Sequence, residues 1–428
     1  MYNRIANKLS LLKKNDLLKN ILTLVTGTGI SQIIPLAVAP FISRLYTPVN
    51  YAILATYTSV TLLLTIISTG MFDSALMLDK KDEHAINTGA TAVMITVMTS
   101  VISFLTMSIF SGPLVKLAGI ENATFWLYAV PITVFSGGFY QTLNIWTIRK
   151  QRYKRLAMNR IILTFITSFL TLSLGILHYT EKGLLISLIV GQGFAFLLLL
   201  MQTLKNDWSL LTFINRSSIK NAIKRHKDFP KYNLPQSFFD GIKDSSTIWI
   251  ISFFFGSNIL GSFSFAKSMI MRPLQIIGNA ANQVFYQRAS STFFQTGSIY
   301  KISINTFWLL FASGLPFALM ILTLGGEIFN IVFGNKWHQA GLIAQILILF
   351  LFLNYITSAL SSIPLILNKL KTNLLFGFIF NAMQIVVLFA SSYFFNDFKI
   401  TFWLFTIILS FVLLITLNWY KSLIKTQL

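Results

Sequence analysis

The sequence predicts an all-α polytopic membrane protein, with twelve transmembrane helices in two six-helix lobes. Three observations carry this. Of 428 residues, 54% are hydrophobic and only 11% charged, less than half the ~25% charged residues of a soluble globular chain. Twelve apolar stretches reach the roughly 20 residues that a spanning helix needs. The basic residues are also unevenly spread. With the N-terminus inside, 26 of the 34 Lys and Arg fall in inner segments, five in outer segments and three within helices. That asymmetry predicts both termini in the cytoplasm and an even number of crossings.

The elements follow in order. Residues 1–19 are too polar for a secretory signal. Leu9, Leu11, Leu12, Leu17 and Leu18 interleave there with Lys8, Lys13, Lys14 and Lys19, a basic amphipathic pattern suited to the inner leaflet. Helices are expected at 20–43, 51–77, 86–111, 122–147, 157–178 and 183–204. The longest gap, 205–231, is basic and partly amphipathic through Trp208, Leu210, Leu211, Phe213 and Ile214, and reads as a cytoplasmic linker. Six more helices are expected at 232–255, 258–286, 302–324, 339–367, 373–394 and 399–420. The linker thus separates an N-lobe, 20–204, from a C-lobe, 232–428. Every outer gap is too short for a soluble domain. Two like halves of six helices are a transporter layout. Residues 47–59 lie over 256–268 without a gap, each a turn feeding a helix. The same offset of 209 sets Asp73 over Asn282 and Ser74 over Gln283. Halves of equal orientation imply a two-fold axis along the membrane normal.

The formal net charge is +21. On a soluble chain that would suggest nucleic acid. Here the basic residues sit in short gaps between apolar stretches, as topology signals and contacts for anionic lipid. Membrane lipids are therefore expected partners and nucleic acid is not. The absence of cysteine excludes disulfides and thiolate zinc sites. His84, His178, His226 and His338 show no metal-ligand spacing, so neither a metal nor a cofactor is expected.

Charge within a bilayer costs about 2.5–3.5 kcal/mol per residue on insertion scales, which makes intramembrane charges the most informative residues. They concentrate in the seventh and eighth helices: Asp240, Lys243, Asp244, Lys267 and Arg272. On the seventh helix they fall on a polar stripe with Asn233, Ser237 and Thr247. On the eighth the stripe runs through Ser264, Ser268, Arg272, Gln275, Asn279 and Gln283, with Lys267 on its flank. With the turn near Gly256, depth arithmetic pairs Asp240 with Arg272 and Asp244 with Lys267, leaving Lys243 as surplus positive charge. Such pairs either lock the hairpin or line a water-filled cavity suited to an anionic head group. Asp73 lies near the inner end of the second helix, where it either snorkels to the interface or serves function. Asp73, Asp240 and Asp244 are thus charge partners or ion-coupling groups. Milder Ser and Thr stripes mark the first, second and tenth helices. The first, second, seventh and eighth helices would line a cleft between the halves.

Segment 40–53, PFISRLYTPVNYAI, closes the first helix and opens the second. It resembles the first hairpin of Wzx-type polysaccharide flippases, a branch of the multidrug/oligosaccharidyl-lipid/polysaccharide exporter superfamily. Segment 266–290, AKSMIMRPLQIIGNAANQVFYQRAS, resembles that family's eighth helix. The resemblance implies a V-shaped, MATE-like, two-lobed flippase of a bacterial inner membrane. It would move undecaprenyl-pyrophosphate-linked oligosaccharide from the cytoplasmic to the periplasmic leaflet by alternating access. Other polysaccharide assembly proteins are expected partners. By the same resemblance Arg44, Lys267 and Arg272 would engage pyrophosphate or acidic sugars; Lys243 joins them through its stripe alone.

Three other readings compete, one of them a purely structural scaffold of an export complex. A drug or cation exporter of the same superfamily would prefer an acidic or aromatic pocket, which surplus positive charge disfavours. A membrane-embedded polymerase or ligase would need paired catalytic groups in a sizeable outer loop. The largest outer gap, 325–338, offers only Glu327, Lys336 and His338. The chain is expected not to be an enzyme.

Overall fold

A computed structural model describes residues 26–118 and 124–425. The expected amphipathic segment 1–19 and the start of the first helix lie outside them. No strand occurs among the described residues. Ten segments there are long and apolar enough to cross a membrane.

Thr26–Leu45 is α1 and Pro48–Ser68 is α2. Their junction is written in the sequence. Thr47 is an N-cap with extended backbone, and Pro48 follows at the first helical position. The Asn50 N–H donates to Thr47 Oγ1 and the Thr47 N–H to Asn50 Oδ1 at 2.8 Å, a reciprocal box that satisfies otherwise orphaned donors. Helix α2 ends well before residue 77. Gly70 and Met71 take positive φ of 56° and 62°, a conformation that stops an α-helix. The chain turns there into the short helix Phe72–Ala75.

Helices α3 (Asp82–Ala118), α4 (Thr124–Arg149), α5 (Tyr153–Ile176) and α6 (Thr180–Asp207) complete the first half. After a connection containing the short helix Arg216–Arg225, one helical run covers Leu234–Thr296. It bends at Gly256, whose φ of 76° and ψ of 178° are non-helical. This is a region open essentially to glycine, so the run is two helices, α7 (234–255) and α8 (257–296). The offset of 209 sets Thr47 on Gly256, and each is the non-helical residue at which a helix begins. Tyr300–Phe333 (α9), His338–Ala359 (α10), Leu370–Phe395 (α11) and Phe398–Lys425 (α12) follow. Dividing the long run at Gly256 and including α4 makes the long helices compatible with twelve crossings.

The largest apolar core occupies residues 251–424, with Ala39 and Ala52 its contributions from the first half. Smaller cores around Tyr57, Trp126 and Leu185, and around Leu143 and Phe196, hold the first half together. The halves meet closely where α1 joins α2. The Trp337 indole donates to the Ser43 carbonyl at 2.7 Å, Lys336 Nζ to the Arg44 carbonyl at 2.7 Å, and the Ser43 hydroxyl to the Phe333 carbonyl at 3.1 Å. Tyr51, Phe265 and Trp337 stack edge and face around them. Gly261 lies against the Pro48 carbonyl so closely that no Cβ would fit. This end of the bundle is sealed.

The opposite end, beside the 208–233 connection, carries an ionic network. The buried Asp79 carboxylate accepts from Thr88 (2.6 Å), Arg225 (2.6 Å) and His226 (3.2 Å). Arg149 binds the Asp79 carbonyl and the Asp82 carboxylate, which Lys150 also reaches. Arg152 grips Asp207 with two bonds of 2.6 and 2.8 Å, and the Trp146 indole adds a third. Four cations counted above as topology signals therefore also have carboxylate partners. Burial pushes the Asp79 carboxyl up, but hydrogen bonds from Thr88, His226 and Arg225 outweigh it and hold the group below the usual carboxylate range.

Candidate functional site

Two adjoining chambers lie between the halves and a third lies within the second half, and α8 borders all of them. Its apolar stripe Ala266, Ile270 and Leu274 is buried in the large core. The four-residue spacing of that stripe leaves Lys267, Ser268, Arg272 and Gln275 on the cleft side. The first chamber, about 480 Å³, is bounded by α1, α2, α4, α5, α6 and α8, with Tyr51, Tyr140, Gln192 and Arg272 in its wall. The second, about 520 Å³, lies between α2, α7 and α8, lined by Thr58, Ser59, Asp244, Lys267, Arg272 and Gln275. The third, about 260 Å³, reaches α10 and α11 and is lined by Lys243, Asp244, Lys267, Asn354 and Gln384. Arg272 and Tyr51 belong to the first two chambers; Lys267 and Asp244 belong to the second and third.

The three chambers thus share three cations, Lys243, Lys267 and Arg272, against one acid, Asp244. Among the described residues Arg272 and Lys267 make no ion pair within 4.0 Å. Lys267 Nζ stands 6.0 Å from the Phe263 ring, near the limit of a cation–π contact. Lys243 holds its sequence neighbour Asp244 at 3.5 Å.

The depth arithmetic needs correction here. Asp240 forms no ion pair with Arg272. Its carboxylate accepts from Asn381 Nδ2 of α11 at 2.7 Å. Asp244 shares two chambers with Lys267 but pairs with Lys243. Equal depth fixes how far two residues lie from the turn at Gly256, not which way each points around its helix axis. Asp73 is 1% exposed and lines none of the chambers. It accepts from Thr69 Oγ1 at 2.8 Å and Gln141 Nε2 at 2.9 Å, which pins the break after α2 to α4. Arg44 is exposed in the last turn of α1, and lines none of the chambers. Glu327 lies within α9 rather than in a loop, and His338 opens α10.

The sequence reading missed Tyr51, Asn381 and Arg160. Arg160 lies five residues beyond the basic run 149–155, about two turns into α5, and that position past the interface was the available signal. It borders a fourth cavity with Thr28, Gln32 and Gln275.

Residues 41–342 match the family model described as polysaccharide biosynthesis protein. No curated protein is similar enough to count as a match. Among solved structures, the chain is similar to the lipid II flippase MurJ in an inward closed conformation, with TM-score 0.72 and 12% identity over 94% of this chain and 87% of that one. It is similar to an inward-facing multidrug resistance MATE family transporter, with TM-score 0.68 and 13% identity over 93% and 95% of the two chains. A Pyrococcus furiosus transporter of the same superfamily, described by a binding pocket of reverse polarity, gives TM-score 0.57 and 13% identity over 95% and 94%. At these identities the likeness establishes the fold: an all-α bundle shared with these membrane transporters.

Proposed function

Because the chain belongs to the family of polysaccharide biosynthesis proteins, we propose that it is a flippase for a lipid-linked oligosaccharide. The cargo is an undecaprenyl-pyrophosphate-linked repeat unit, carried from the cytoplasmic to the periplasmic leaflet of a bacterial inner membrane. The sealed end of the bundle is the periplasmic one in this reading, and both termini are cytoplasmic. Residues 20–204 and 232–428 move as two lobes about the cleft, and the process makes and breaks no covalent bond.

One observation carries the reading. Arg272 and Lys267 face the cleft of an apolar bundle with no carboxylate of the described residues in ion-pair contact. Such cations are retained at a cost of a few kcal/mol each, and a mobile anion is the partner that explains them. A pyrophosphate brings about two negative charges that lose hydration on crossing. The guanidinium of Arg272 can bind two phosphate oxygens at once, and Lys267 supplies a second, mobile charge. Tyr51, beside Arg272 in both large chambers, offers a hydroxyl donor to the same group. A lipophilic-cation exporter would meet three positive side chains against one acid.

Purified protein in sealed vesicles, loaded with fluorescent lipid-linked oligosaccharide, tests the proposal. Oligosaccharide should become accessible to a membrane-impermeant glycosidase faster than in empty vesicles. Equal rates would end this reading.

A further inference from the structure

A fourth cavity of about 220 Å³ lies between α1, α5 and α8 and shares Gln275 with the second and third chambers. It is smaller than the roughly 300–1,000 Å³ of a site for a drug-sized ligand. Its wall holds Thr28, Gln32, Arg160, Asn279 and Gln283 together with Gln275 and Asn282. No acidic side chain and no aromatic ring appears among the described residues of that wall. Five carboxamides offer both donors and acceptors, the pattern that ring hydroxyls satisfy. A phosphate only accepts, and would leave the amide oxygens without donors.

The polar groups are already oriented. Arg160 Nη1 donates to Thr28 Oγ1 at 2.8 Å, which fixes the guanidinium at the cavity wall with its other N–H groups uncommitted among the described residues. Asn282 Nδ2 donates to the Ala359 carbonyl at 2.7 Å, which leaves its own carbonyl oxygen as an acceptor. Gly29 borders the cavity, and a Cβ built there meets nothing within 4 Å. A larger side chain at that position therefore has room to enter. Along α8, Asn279 lies about 10 Å and Gln283 about 16 Å beyond Arg272 at ~1.5 Å per residue.

We propose that this amide-lined cavity is a sugar-binding station. It receives one ring of the oligosaccharide while Arg272 holds the pyrophosphate, and Arg160 meets an acidic substituent where the ring carries one. The proposal rests on the flippase reading and assigns the sugar a place apart from the chambers that hold Arg272 and Lys267.

The test compares binding of three synthetic lipids to the full chain in nanodiscs: bare undecaprenyl pyrophosphate, and the same lipid carrying N-acetylglucosamine or glucuronic acid. The unaltered protein should bind at least one sugar-bearing lipid about fivefold or more tighter than the bare one. Gly29→Leu, which fills the cavity without removing a polar group, should erase that difference and leave affinity for the bare lipid unchanged. Gln283→Leu should act the same way, and guards against a folding defect in α1. Arg272→Ala should weaken all three lipids alike. No gain from either sugar, or an equal loss of all three lipids in Gly29→Leu, overturns the sugar station while the flippase reading stands. Failure of the unaltered protein to bind any of the lipids overturns both.

Discussion

Arg272 shares a helix face with neutral polar groups, not with acids, and that decides how its substitutions should behave. Charge-assisted hydrogen bonds contribute about 1.5–3 kcal/mol, so Arg272→Ala is expected to weaken pyrophosphate binding roughly 10- to 150-fold. Transport should fall with it while the protein still reaches the membrane. Arg272→Lys keeps a point charge and loses the fork, so vesicle transport should be intermediate. Lys267→Ala should resemble Arg272→Ala in direction. Arg44 is exposed at the end of α1 and outside the chambers, so Arg44→Ala is expected to leave head-group binding unchanged. A loss as large as that of Arg272→Ala would place Arg44 in the path. Asp240→Asn tests the corrected pairing. Asn381 can still donate to an amide oxygen, so a small effect on transport and on thermal unfolding is expected.

At the scale of elements, the ionic network joins the connection before α7 to the ends of α3, α4 and α6. Asp79 is its centre, binding Arg225 and His226 from the connection and Thr88 from α3. Asp79→Asn should lower stability by about 1–3 kcal/mol, read as a lower Tm in detergent. The sign of the pH effect follows from the depressed carboxyl. The stabilisation is fully present above the unfolded value of about 4. It disappears as pH falls through the lower folded value. The Tm gap between the natural chain and Asp79→Asn should therefore be widest near neutrality and close in acid. A gap that widens in acid would refute the assignment. This network shows where sequence reading stops. Hydropathy located the helices because a bilayer imposes one length and one polarity on each. It could not see that Arg152 meets Asp207, 55 residues away, because a basic residue in a loop serves topology and an ion pair alike. The break after Ser68 was hidden for another reason. Residues 69–77 remain apolar enough to span, and only the left-handed backbone at Gly70 and Met71 ends the helix. In the candidate site the cations on α8 were legible because charge is scarce in apolar stretches. Their partners were not, since rotation about a helix axis depends on the packing of distant helices.

For the whole molecule, alternating access requires the sealed end to open. The chain has no cysteine, so Arg44→Cys with Lys336→Cys can be bridged specifically by a short bifunctional thiol reagent. Lys336 Nζ reaches the Arg44 carbonyl at 2.7 Å, so bridging should be efficient. Transport should stop, then recover on reduction of a cleavable bridge. Continued transport by fully bridged protein would show that this end stays shut throughout the cycle.

The seal has a consequence for how the halves can change over evolutionary time. Trp337 and Lys336 donate to the main-chain carbonyls of Ser43 and Arg44, and Ser43 donates to that of Phe333. A carbonyl is the same on every amino acid, so drift in the accepting residue's side chain needs no compensating replacement opposite. Families of such sequences should therefore show little correlated substitution between 43–44 and 333–337, although these positions touch. Contact maps inferred from covariation would be blank at these hydrogen-bonded pairs, and the seam would have to be read from the packed rings of Tyr51, Phe265 and Trp337 instead.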